Sequence, residues 1–155
     1  MGIENTFHRD EEDYLLKDGM DLAFCVFDRD KKQLEYAGAF NPLYLIRDNK
    51  LFETTADRFS IGLKQMVNEQ NEYTNHSVSI KKGDMIYLFS DGYPDQFGGP
   101  NGKKYMYRRF RHLLLTIHKL ALQEQKDFLE KSIEEWKGEE YDQVDDILVI
   151  GIRPF

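Results

Sequence analysis

The hydrophobic period of this chain changes at Ser90 and changes back only near its end. Before Ser90, apolar residues come in short runs and alternations, broken by polar turns such as Asp28-Arg29-Asp30-Lys31-Lys32 and Arg47-Asp48-Asn49-Lys50. That is the pattern of strands joined by hairpins. After Asp91, Met106, Phe110, Leu113, Leu114, Ile117, Leu120 and Ala121 fall on one face at helical spacing. Phe128, Leu129, Ile133 and Trp136 continue a helical stripe, and Gly138 is placed to end it. A final apolar run, 147–152, reads as a strand again. Strands first, then helices, then one strand is an α+β order and not an alternating βαβ one.

This spacing predicts antiparallel strands near 22–27, 33–37, 43–46, 51–54, 76–80, 85–90 and 147–152. It predicts helices within 104–120 and 122–136, with the break near Leu120–Leu122. Residues 1–17 carry little pattern and read as a flexible lead-in. Residues 56–73 read as a long irregular connection. Lys81-Lys82-Gly83-Asp84 reads as the turn that leads into the strand at Met85.

Composition excludes several classes. At 155 residues the chain is one domain by prior and needs no disulfides to build a core. A net charge of -7 disfavours nonspecific binding to nucleic acid or to membranes. No segment approaches the about 20 apolar residues of a membrane span, and the amino terminus is polar and acidic. The single cysteine, Cys25, lies in an apolar run and reads as a small core residue in a reducing compartment. The expected location is cytoplasmic.

Two aspartate turns stand out against this background. Met85-Ile86-Tyr87-Leu88-Phe89 runs straight into Ser90-Asp91-Gly92, and Asp145-Asp146 immediately precedes Ile147-Leu148-Val149-Ile150. Apolar runs of this kind read as buried core strands. A carboxylate at the mouth of such a strand is costly without a partner. Two of them, from distant parts of the chain, can converge on a hard cation, since magnesium and manganese prefer oxygen ligands. The plainer reading stays open: Asp-Gly after a strand is an ordinary turn, and Asp-Asp before one can be a solvated loop end.

Other constellations are weaker. Gly98-Gly99-Pro100-Asn101-Gly102-Lys103-Lys104 has the wrong spacing for a phosphate-binding loop and reads as a plain loop. His8, His76, His112 and His118 lack metal-ligand spacing. Lys103, Lys104, Arg108, Arg109 and Arg111 put positive charge at a helix start, either as a solvated face or as a contact for an acidic or phosphorylated partner.

Asp18-Gly19-Met20-Asp21, Ala37-Gly38-Ala39 with Asn41-Pro42-Leu43, Ile61-Gly62 and Lys82-Gly83-Asp84 are followed by Phe89-Ser90-Asp91-Gly92-Tyr93 and Asp95-Gln96-Phe97-Gly98-Gly99, then by Trp136-Lys137-Gly138 and Gln143-Val144-Asp145-Asp146. In these motifs and in their order the chain resembles the SpoIIE-type serine phosphatases of the PPM superfamily, the metal-dependent Ser/Thr phosphatases. The resemblance covers residues 18–155. It implies an antiparallel β-sandwich with flanking helices, of which the N-terminal part is missing. It also implies a two-ion centre of Mn2+ or Mg2+. By that resemblance Asp91 and Asp145 are the metal-binding and catalytic residues, with Gly92, Asp95 and Asp146 placed behind them. The implied reaction is hydrolysis of phosphoserine or phosphothreonine by a metal-activated water. The implied partners are a phosphoprotein, such as an anti-sigma-factor antagonist, and an upstream sensor domain.

The chain departs from the family pattern in two places. The Asp-x-x-Gly-His-Gly segment that opens the family's catalytic domain has no match, so the expected site holds half of its protein ligands. Ala39-Phe40 stands where many relatives carry histidine. Two functions therefore remain at this point: a phosphatase domain that is inactive by itself, or a noncatalytic PPM-like module for binding or oligomerisation. Uncovered apolar surface would drive self-association through sheet edges or helix faces.

Overall fold

The computed structural model describes residues 19–62 and 72–155. The chain forms two compact units, Met1–Leu43 with Thr54–Ile80, and Tyr44–Glu53 with Lys81–Phe155. The lead-in expected for residues 1–17, and residues 63–71 of the connection expected over 56–73, lie outside the described residues.

The first unit carries β1 (Leu22–Asp28), β2 (Gln33–Ala39) and β5 (His76–Ser79), with β2 in the middle. Both pairings are antiparallel, with Leu22 opposite Ala39 and Gln33 opposite Ser79. The β1–β2 turn closes because the Asp28 carboxylate accepts the Lys31 amide at 2.9 Å while Lys32 takes a positive φ of 52°. Leu34 and Tyr36 point inward and are fully buried. Phe24 and Val26 are exposed on the opposite face of β1, so the apolar run at 22–27 is covered on one side only.

The second unit is built on a four-stranded sheet, ordered β4 (Lys50–Thr54), β3 (Leu43–Arg47), β6 (Met85–Phe89) and β9 (Val149–Ile152). Asp48 and Asn49 both take positive φ, at 50° and 60°, which is the tight hairpin geometry that Asx residues tolerate. Strand β6 is the buried one, with Met85, Ile86, Tyr87 and Phe89 inside, and it pairs antiparallel with β9, Phe89 opposite Val149.

Helices α2 (Tyr107–Ile117) and α3 (Leu122–Lys137) cover one face of this sheet through Phe110, Leu114 and Ile133. The break between them falls at the expected place, where Glu124 turns back to accept the Ala121 amide at 2.9 Å. Gly138, at φ 62°, stops α3. Aromatic rings carry the packing from sheet to helix: Tyr44 on Phe89 at 4.7 Å, Phe89 edge-on to Phe110 at 4.9 Å, and Tyr105 edge-on to Trp136 at 5.4 Å. The architecture is a mixed α+β fold of antiparallel sheets with flanking helices. Among the described residues no helix is long and apolar enough to cross a membrane.

The turn at Lys81–Asp84 leads into β6 as expected, and β5 before it and β6 after it belong to different sheets. Asp84 locks that turn: only 1% exposed, it accepts the Lys81 amide at 2.7 Å and binds Arg47 through two hydrogen bonds, at 2.8 and 2.6 Å. Two local expectations need correction. First, the last strand is not a core strand. It starts at Val149 and lies at the sheet edge, so Leu148 and Ile150 remain 56% and 42% exposed. Second, the segment read as a plain loop holds a small antiparallel ribbon, β7 (Phe97–Gly98) with β8 (Lys103–Lys104), preceded by the single turn α1 (Gly92–Asp95).

Candidate functional site

Strand β6 ends at Phe89, and the next residue binds across to the approach of β9. The Ser90 amide donates to the Leu148 carbonyl at 3.0 Å. The Ser90 hydroxyl donates to the Asp146 carbonyl at 2.8 Å and accepts the Leu148 amide at 2.9 Å. This hydroxyl does the work of two ladder bonds and extends the β6–β9 pairing beyond the strand itself.

Gly92 then lies flat against the same segment. A Cβ at Gly92 would collide with the Asp146 carbonyl, so only glycine allows this approach. The backbone on either side of Asp91 is therefore in contact with the segment that carries Asp145 and Asp146. Asp91, Asp145 and Asp146 are all exposed. The Asp91 carbonyl accepts the Asp95 amide at 2.9 Å and so opens α1. Asp145 is shaped locally: its carboxylate accepts the Asp146 amide at 2.7 Å, and its carbonyl accepts the Gln143 side chain at 2.8 Å.

The remaining candidates are placed differently. Asp95 is half-exposed and pairs with Lys104 at 2.8 Å, which ties α1 to β8. Asp146 contributes its carbonyl to Ser90. The first residue of α2, Tyr107, belongs to the same neighbourhood. Burial, reinforced by the negative charges of Asp91 and Asp95, pushes its hydroxyl up to about 12. Arg111, one turn further along α2, donates to the Tyr44 hydroxyl at 2.8 Å and to Glu53 at 2.5 Å. That cation is committed to the sheet. Burial pushes the Cys25 thiol up to about 11, away from the thiolate form.

The chemistry of the donors suits a hard divalent ion: exposed carboxylates on two segments held together by backbone contacts. Their number is smaller than a full centre requires. Among the described residues, no group of three or more His, Cys, Asp or Glu side chains is gathered to hold a metal ion.

The sequence profile of Stage II sporulation protein E (SpoIIE) matches residues 3–155. The chain belongs to the SpoIIE family. Among solved structures, this SpoIIE-family chain is similar to the SiaA-PP2C domain of Pseudomonas aeruginosa, with 32% identity and a TM-score of 0.78 over 87% of this chain and 52% of that one. It shares its fold with the phosphatase domain of SpoIIE from Bacillus subtilis, at 15% identity and a TM-score of 0.60 over 86% of this chain and 57% of that one. It also shares it with the Mycobacterium tuberculosis serine/threonine phosphatase PstP/Ppp, at 17% identity and a TM-score of 0.56 over 86% and 59%. The chain thus spans between 52% and 59% of the length of these three structures. No curated protein matches it.

Sequence reasoning missed that Ser90 bridges to Asp146 and Leu148 and that Tyr107 lies beside Asp91. Ser90 stood inside a quoted motif, but a polar residue within a motif gives no sign of which distant carbonyl it will reach. Tyr107 had a signal in its position at the start of the helix that follows the Asp91 turn.

Proposed function

We propose that the chain is the C-terminal portion of a PPM-type protein phosphatase domain that acts on phosphoserine or phosphothreonine in a small phosphoprotein. The contact of Ser90-Asp91-Gly92 with Asp146, in a chain of the SpoIIE family, carries this reading. The substrate class suggested by the family resemblance is an anti-sigma-factor antagonist, with an upstream sensor domain governing the activity.

Asp91 and Asp145 would hold Mn2+ or Mg2+, with Asp146 and Asp95 behind them. A divalent ion bound there supplies positive charge for the phosphate oxygens and lowers the pKa of water. The chain's own contribution is positional. Ser90 and Gly92 keep the Asp91 turn against the Asp145 segment, and Lys104 neutralises Asp95 beside it. Because both carboxylates are exposed, a protein-sized substrate has access to them.

The second reading is a noncatalytic module. It is favoured by an apolar cleft of about 400 Å3 lined by Leu122, Leu129, Ile133, Ile147, Leu148 and Val149, which leaves greasy surface beside the edge strand. One assay separates the two. A phosphorylated substrate protein is incubated with millimolar manganese and this chain, a version extended upstream, or that version carrying Asp145→Ala. The enzyme reading expects turnover by the extended version, a loss of at least a hundredfold in the variant, and little turnover by this chain alone. If the extended version is as inactive as its variant, the module reading replaces the enzyme.

A further inference from the structure

Gln96 is fully buried at the junction of four segments. Its side-chain amide donates to the Asp142 carbonyl at 2.9 Å and to the Phe97 carbonyl at 3.0 Å. Its own carbonyl accepts the Tyr105 amide at 2.8 Å and the Trp136 indole at 3.1 Å. The residue thus ties the end of the Asp91 turn to the entry of α2, to the end of α3 and to the segment leading into Asp145. Gly98 strengthens the same junction, since a Cβ there would strike the Trp136 carbonyl.

The orientation of the amide is informative. Both of its N–H groups go to carbonyls, which leaves Oε1 buried without a hydrogen-bond partner among the described residues. A half-satisfied buried amide is costly, and a side chain of the same volume such as Met would fill the space without that cost. What Met would not do is hold Asp142.

We propose that Gln96 is a positioning residue: its clasp on Asp142 holds the 142–146 segment against the Asp91 turn, so that the carboxylates of Asp91 and Asp145 are presented as one unit. The tie is independent of the Ser90 bridge and approaches the segment from the opposite end. Its consequence for metal binding rests on the phosphatase reading above; its mechanical part does not. Gln125 provides the natural control. It is an equally buried amide, bonded to the Tyr87 hydroxyl and to the carbonyls of His118 and Leu120, and its hydrogen bonds go to none of residues 142–146.

The test uses the full chain as wild type, Gln96→Met, Gln96→Asn and Gln125→Met, followed by native-state hydrogen exchange. Asn keeps a polar amide that is one methylene too short to reach Asp142, and carries the test if the Met variant does not fold. In the Gln96 variants, the Ser90 and Leu148 amides should exchange roughly tenfold faster relative to the Leu114 amide of α2, the equivalent of one lost hydrogen bond. Gln125→Met should leave that ratio unchanged. An unchanged ratio in the Gln96 variants, or an equal change in Gln125→Met, overturns the proposal. A manganese titration of the same proteins and of Asp91→Asn separates the two layers. Loss of binding in Asp91→Asn with an about tenfold weakening in Gln96→Met supports both. If the exchange result holds while Asp91→Asn binds manganese like wild type, the clasp stands and the metal reading falls.

Discussion

The Ser90 hydroxyl donates to the Asp146 carbonyl at 2.8 Å, across 56 residues of sequence. The same oxygen accepts the Leu148 amide at 2.9 Å. Ser90→Ala should therefore strip two partners at once from the approach to β9. The site is partly solvated, so water will satisfy much of the loss. The expected cost is about 1–2 kcal/mol of folding stability, read as a shift in the urea midpoint at constant m-value. Ser90→Thr keeps the hydroxyl and should recover most of it.

Gly92→Ala tests the close approach on the other side of Asp91. The added Cβ meets a carbonyl that is itself pinned by Ser90, so the backbone has little room to yield. A loss of about 2–3 kcal/mol is expected, read as a lowered melting temperature. A change within about 0.5 kcal/mol would mean that the two segments are not held in contact.

The Arg47–Asp84 pair predicts a pH dependence. Burial alone pushes the Asp84 carboxyl up, but the Arg47 guanidinium and the Lys81 amide outweigh it and hold the group below the ordinary carboxylate value. A folded pKa below the unfolded one gives stability that is complete above about pH 4 and is lost as pH falls through the folded value. Asp84→Ala should cost about 3 kcal/mol at pH 7, because it leaves Arg47 without its buried partner. The difference between wild type and variant should shrink steadily as denaturation is repeated from pH 4 down to about pH 2.

Met106 sits at φ 75°, ψ 142°, immediately before α2, and is 54% exposed. This is backbone that glycine occupies readily and other residues do not. Its amide is held by the Pro94 carbonyl at 2.7 Å, and its carbonyl accepts the Arg109 and Phe110 amides, so the conformation is imposed by its neighbours. Met106→Gly should stabilise the fold by about 1 kcal/mol, the relief of strain exceeding the added flexibility of the unfolded chain. Met106→Val should move the melting temperature the other way.

How far the sequence reaches can be seen at particular residues. The strand at Leu22 and the two helices were legible because each buries one face, and a one-sided burial writes its period into the chain; the strands at Leu43 and Met85 were legible as short continuous apolar runs because both of their faces are buried. Gly138 and the Asp48-Asn49 turn were legible because left-handed backbone selects few residue types. Leu148 and Ile150 misled, since an apolar run has the same composition at a sheet edge as at its centre. The turn at Asp84 was legible as a turn, but a turn sequence does not specify which sheet receives the next strand.

The candidate site divides along the same line. Ser90-Asp91-Gly92 and Asp145-Asp146 were visible in the sequence as carboxylates at strand mouths, and their order along the chain carried the family. That Ser90 reaches Asp146, that Gly92 is pressed against its carbonyl, and that Gln96 holds Asp142 were decided by tertiary structure alone. Local residue pattern reports local hydrogen bonding and one-sided burial. Contacts between segments 46 and 56 residues apart depend on how β6, α3 and β9 pack together, and no window of sequence contains that information.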